Sequence, residues 1–199
     1  MQPSPIPYAI TLQVDPPEQI ARWRPLVSWL LVIPHFAVLY VLNLAAGVCA
    51  LISWFAILFT GRMPDGLAAL ITLSIRYQAR ATTYALFLRE EYPPFTFDTT
   101  GADPGDDPRV RVDVRPVLDQ RNRVTVFFRY FMLLPHLVVL AFVGIAAAFC
   151  ILVGGVAVVV TGRWPEGLRD FVIGTLRWTT RLTAYQYLLT DEYPPFSTA

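Results

Sequence analysis

Lysine is absent from this chain of 199 residues, so all sixteen of its basic residues are arginine. The base composition of a GC-rich genome accounts for that more readily than a need for guanidinium chemistry. A basic excess is missing too: fifteen acidic residues leave a net charge of +1, which argues against the cationic surface that tracks a nucleic-acid backbone. Cysteine is scarce. Cys49 and Cys150 stand far apart with no paired-ligand spacing, which argues against a disulfide framework or a metal site and for packing as small apolar residues. The start, Met1 to Pro5, lacks a basic region followed by an apolar stretch and cleavage site, so no secretory signal peptide is expected.

The most consequential absence is charge along two stretches. No Asp, Glu or Arg lies between Arg24 and Arg62, nor between Arg129 and Arg163. Each gap far exceeds the roughly 18 apolar residues that mark a membrane-helix candidate. Over the whole chain 16% of residues are charged and 55% hydrophobic, against roughly 25% charged in soluble domains. An integral membrane protein is the class this composition fits, with the first apolar run as its insertion signal.

What is present occurs twice. Thr60-Gly61-Arg62-Met63-Pro64-Asp65-Gly66-Leu67 returns as Thr161-Gly162-Arg163-Trp164-Pro165-Glu166-Gly167-Leu168, and Pro34–Phe95 aligns without a gap on Pro135–Phe196. The expected domains are a first repeat over 1–95, an acidic linker over 96–109 and a second repeat over 110–199. Tyr8 to Val14 and Val110 to Val114 alternate as strands do. The linker holds Asp103, Asp106 and Asp107, but no EF-hand spacing, so it reads as solvated.

As one straight helix, Pro25 to Gly61 would reach roughly 55 Å, nearly twice a hydrocarbon core of about 30 Å. Two antiparallel helices turning near Asn43 to Gly47 fit that thickness better, and one long tilted or kinked helix is the alternative. Pro34-His35 and Pro135-His136 fall inside the runs, where proline predicts a kink and the histidine a local polar partner or an intramembrane functional pair. At Thr60-Gly61-Arg62 glycine suits a helix C-cap, and Pro64-Asp65 opens an amphipathic helix bearing Arg76 and Arg80. Arg177 and Arg181 recur in the second copy. Arg62, Arg76, Arg80, Arg163, Arg177 and Arg181 are therefore candidate ligands of lipid phosphate. Each repeat ends in Glu-Tyr-Pro-Pro-Phe. Tyr92, Pro93, Pro94 and Phe95, with Tyr193, Pro194, Pro195 and Phe196, are candidates for interfacial docking or partner contact.

The succession Leu-Pro-His, Thr-Gly-Arg-Trp-Pro-Glu-Gly-Leu, Leu-Arg-Trp and Asp-Glu-Tyr-Pro-Pro-Phe resembles the DUF4389 family of bacterial membrane proteins, here as two tandem copies. The resemblance implies location in a bacterial inner membrane and supplies no catalytic residues. The expected architecture is an all-α membrane protein: tandem transmembrane helical hairpins, interfacial amphipathic helices and short β-strands on the cytoplasmic side. The Arg-rich flanks and both termini of this multi-pass chain are expected to be cytoplasmic. The expected role is non-enzymatic, without cofactor or metal: a scaffold or accessory subunit of a larger membrane complex. Its partners would be membrane lipids and other membrane subunits, with self-association open through small residues such as Gly144, Gly154 and Gly155. An anionic-lipid binding or transport component is the alternative.

Overall fold

The structure, a computed structural model, describes residues 8–198; the signal-peptide reading on Met1 to Pro5 lies outside them. The described chain is mostly helical. Strand β1 (Ile10–Val14) is followed by α1 (Arg24–Leu31), α2 (Ile33–Thr60) and α3 (Asp65–Ala85). Strand β2 (Val110–Val114), α4 (Arg123–Phe127), α5 (Arg129–Thr161) and α6 (Glu166–Gln186) complete it.

The apolar runs do not fold back on themselves. Asn43 to Gly47, expected as a turn, lies inside α2, and the corresponding stretch lies inside α5. The reason is local: no proline interrupts the chain between Pro34 and Pro64, and a glycine inside a helix costs only about 1 kcal/mol. Asn43 meets its polar needs sideways, accepting a hydrogen bond from Ser74 Oγ at 2.9 Å. Both helices are long and apolar enough to cross a membrane. Pro34 sits at the start of α2, where its missing N–H is harmless, and the chain breaks instead at Val32, between α1 and α2. Pro135 lies within α5.

The hairpin forms one element later, between α2 and α3 and between α5 and α6. Gly61 and Gly162 take φ of 75°, the left-handed conformation that favours glycine at a helix end. Asp65 and Glu166 then open α3 and α6 at their N-termini. Helix α3 runs back along α2: Ser74 meets Asn43, and Tyr77 meets His35.

The two copies are joined at the centre. Strands β1 and β2 pair antiparallel with Leu12 opposite Val112, and Ile10–Val114 mirrors Val14–Val110. β1 packs on α6, whereas β2 packs on α3, so each copy covers its partner's helix with its own strand. Arg76 Nε donates to Val112 O at 3.3 Å and Arg177 Nε to Leu12 O at 3.3 Å. These equivalences describe a pseudo-two-fold axis through the middle of the sheet. Helices α3 and α6 run in opposite directions across it. Phe87, just past α3, stacks on Trp164, just before α6, while Met63 and Leu188 share a core cluster at the other end.

Candidate functional site

The most concentrated charge in the molecule lies where α3 meets the linker. Arg76 and Arg80, four residues apart, point from α3 toward residues 96–108, and both are buried. Arg76 reaches Asp98 at 3.1 Å and Asp103 at 3.3 Å, and its Nη2 donates to the carbonyls of Thr100 and Gly101. Arg80 grips Asp103 at 3.1 Å and Asp106 at 2.7 Å. Arg89 closes the cluster on Asp107 at 2.5 Å, both side chains being fully enclosed. The solvated linker expected from its composition is therefore not what forms: Asp103 and Asp107 are buried. Buried guanidinium groups require carboxylate partners, and an Asp-rich segment following Arg-x-x-x-Arg supplies them.

The acids are further held by backbone amides. Asp103 accepts from Val112 N at 2.8 Å and Gly105 N at 2.9 Å, and Asp107 accepts from Val110 N at 2.9 Å. Partial burial pushes the Asp106 carboxyl up, but hydrogen bonds from Arg80 and Thr96 and the Arg80 charge hold it below the usual carboxylate range. At Asp98 the hydrogen bonds from Thr100, reinforced by Arg76, act downward.

The second copy builds its corresponding region differently. Arg177 is half-buried beside β1, and Arg181, also half-buried, donates to Ser197 O at 2.5 Å. Tyr8, Thr11 and Gln13 share with them a recess of about 310 Å³. The acid-base cluster of this half lies at the end of α6. There Asp191 takes Arg121 and Arg129 at 2.6 Å each and accepts from Asn122 N at 2.9 Å. Burial raises the Asp191 carboxyl, yet the Arg121 and Asn122 hydrogen bonds and two guanidinium charges bring it down overall.

Arg62 and Arg163, the corner arginines, are exposed; Arg62 is ion-paired to Asp119. Of the six arginines expected at lipid phosphate, the structure thus buries Arg76 and Arg80 among carboxylates and leaves Arg62 and Arg163 at the surface.

The Pro-His and Glu-Tyr-Pro-Pro-Phe motifs come together in each half. His35, fully buried, contacts Tyr77 Oη through Nδ1 at 2.7 Å, stacks on Phe95 at 4.2 Å and lies against Tyr92. His136 repeats this with Trp178, whose indole donates to Nδ1 at 3.1 Å, and with Phe196 at 3.9 Å and Tyr193. Because an indole N–H only donates, His136 Nδ1 is the acceptor and the neutral ring carries its proton on Nε2. Tyr92 and Tyr193 donate to the carbonyls of Leu31 and Met132. Pro93 and Pro194 are buried beneath these aromatics. The local polar partner expected for each histidine is an aromatic side chain on the returning helix, Tyr77 in one half and Trp178 in the other.

The sequence did not single out Arg89, Arg121, Arg129 or Asp191, and it placed Asp107 in a solvated linker, whereas the structure buries it against Arg89. Arg129 is the last charge before the second apolar run, and Asp191 is the acid before Glu-Tyr-Pro-Pro-Phe, so their motif positions were the available signal. Among the described residues, no group of three or more His, Cys, Asp or Glu side chains is placed to hold a metal ion.

A family model described as a domain of unknown function, DUF4389, matches residues 22–96 and again residues 123–198. No curated protein and no solved structure matches the chain.

Proposed function

The chain belongs to the DUF4389 family, with two tandem copies of its domain, and from that premise we propose that it is a non-enzymatic integral membrane protein serving as scaffold or accessory subunit of a larger membrane complex. One observation carries the reading: the outer faces of α2 and α5 are apolar and uncovered. Only 28% of the most apolar window of α2 and 17% of that of α5 is buried, whereas the core helix of a soluble protein would be mostly enclosed. Tyr40, Phe59, Phe131, Phe142 and Ile145 stand outward among them. A contiguous apolar surface of this extent is stable only against lipid or another protein.

The antiparallel relation of α3 to α6 bears on orientation. A two-fold axis relating antiparallel helices is perpendicular to them, and the sheet lies on that axis. If the four long helices stood along the membrane normal, the sheet would lie at the bilayer centre with Arg111 and Gln13 exposed there. A charge such as Arg111 at that depth costs about 2.5–3.5 kcal/mol or more. We therefore favour an orientation in which α2 and α5 lie along one leaflet, with the sheet toward water, in place of the repeated crossing that the sequence suggests. Both arginine corners then share one side, the cytoplasmic one by the positive-inside tendency.

The committed guanidinium groups support a structural role, since their hydrogen-bonding capacity is directed at carboxylates and carbonyls within the fold. The experiment is membrane fractionation followed by purification in mild detergent. We expect the protein to stay in the pellet through alkaline carbonate and to co-purify with other membrane proteins. Release by carbonate would overturn the membrane reading, and migration alone as a lipid-bound monomer would overturn the subunit reading.

A further inference from the structure

The two halves differ at one pair of equivalent positions in a way that opens a site. In the first half Trp54 on α2 bridges to α4: its indole donates to Val126 O at 3.2 Å, and its ring stacks near Phe127 at 6.1 Å. The equivalent of Trp54 is Gly155 on α5, and the equivalents of Val126 and Phe127 are Pro25 and Leu26 on α1. With no indole to bridge them, α5 and α1 leave a groove of about 440 Å³ lined by Pro25, Leu26, Phe87, Gly155, Val156 and Val160. Its lining is almost wholly apolar, and Phe87 forms its floor, held from behind by the Trp164 ring at 5.0 Å.

The groove runs to the C-terminus of α5, where the chain changes character. A Cβ on Gly162 would lie 3.9 Å from Arg22 Nε, so Arg22 is packed against this helix end, and Arg163 follows Gly162 directly. Both arginines are exposed, and among the described residues neither makes an ion pair. The first half is again the contrast: its corner arginine, Arg62, is neutralised by Asp119.

An apolar groove where the other half places an indole, running to a helix end that carries two guanidinium groups with no ion pair among the described residues, has the profile of one phospholipid: an acyl chain along the wall and a phosphate beyond the mouth. We propose that the α1–α5 groove binds an anionic phospholipid, its acyl chain lying between Leu26 and Val156 over Phe87 and its phosphate held by Arg22 and Arg163. Trp54 narrows the equivalent gap in the first half to a recess of about 200 Å³, and the corner arginine there is already paired with Asp119, so the protein takes one such lipid per chain. This rests on the membrane reading above and adds to it a specific, one-sided lipid site.

Native mass spectrometry tests it, on protein extracted in mild detergent and exchanged into nanodiscs of mixed phosphatidylglycerol and phosphatidylcholine. The wild type is expected to keep one phosphatidylglycerol at activation energies that strip the remaining lipid. Val156→Trp, a change at an exposed position that fills the groove from its rim, should lower that retained fraction about tenfold. Arg22→Gln with Arg163→Gln should keep a bound lipid but reduce the preference for phosphatidylglycerol, by about fivefold per guanidinium removed. Both arginines are exposed, so the double variant decides the question even if Val156→Trp fails to fold. Absence of a retained lipid, retention unaffected by Val156→Trp, a phosphatidylglycerol preference unchanged in the double arginine variant, or a stable dimer mass in place of the lipid adduct would overturn the proposal. Carbonate resistance of the same wild-type sample separates the two readings: a protein that stays in the membrane without the adduct loses only the lipid site.

Discussion

At the scale of single residues, the buried arginines are structural. Arg89 and Asp107 are enclosed together at 2.5 Å, and removing one partner of such a pair strands the other. Arg89→Leu should therefore lower unfolding stability by about 3–5 kcal/mol, measured by denaturant titration in detergent, while exposed Arg115→Leu should change it by less than about 0.5 kcal/mol. The carboxylates also set the acid limit. Asp106 and Asp191 are held below their ordinary range in the folded state, so their contribution is present in full above the unfolded carboxylate pKa and is lost as pH falls through the lower folded value. Thermal stability should be level from neutral pH to about pH 5 and should fall below about pH 4. A midpoint that rises on acidification would contradict this assignment. These pairs were only half legible in the sequence. The spacing of Arg76 and Arg80 was evident, but that the linker would fold back on them depended on the sheet, whose register sets Val112 under Arg76 and Asp103.

At the scale of elements, the corners were the most readable feature. Thr-Gly-Arg-x-Pro ends one helix and starts another in both copies, because left-handed glycine and helix-initiating proline act locally. Helix continuity through Asn43 to Gly47 was less readable, since the bilayer-length argument favoured a turn that no residue there imposes. The strands were predicted, but not their exchange onto each other's helices, because strand pairing between copies is a non-local choice. Trp164 shows how such choices are fixed: its ring occupies the space above Gly154, where an added Cβ would lie 1.9 Å from it. Trp164 Nε1 also donates to Phe87 O at 3.0 Å, joining the end of α3 to the start of α6. Gly154→Ala must push the indole away and should cost about 1–3 kcal/mol, whereas Gly167→Ala meets nothing and should be within about 1 kcal/mol of wild type. Comparable losses at both glycines would mean that Trp164 is not the joint between the halves.

At the scale of the whole molecule, duplication, pseudo-symmetry and uncovered apolar faces make one proposed account: two α-hairpins joined across a two-stranded sheet whose Ile10, Leu12, Val110, Val112 and Val114 are buried in the core, with the outer helices facing lipid. The apolar runs made two helices long and apolar enough to cross a membrane legible from sequence. The orientation proposed above was not, because it is argued from α3 and α6 being antiparallel, which no pattern along the chain records. The most direct test is cysteine labelling in sealed inverted membrane vesicles, which expose the cytoplasmic face, on a Cys49→Ala, Cys150→Ala background. Single cysteines would replace Arg62, Arg163 and Phe149, and a membrane-impermeant maleimide would be applied from outside. Arg62 and Arg163 should both label in intact vesicles, with Phe149 protected until detergent is added. Labelling of Arg62 and Arg163 from opposite sides, or ready labelling of Phe149 from water, would contradict the account.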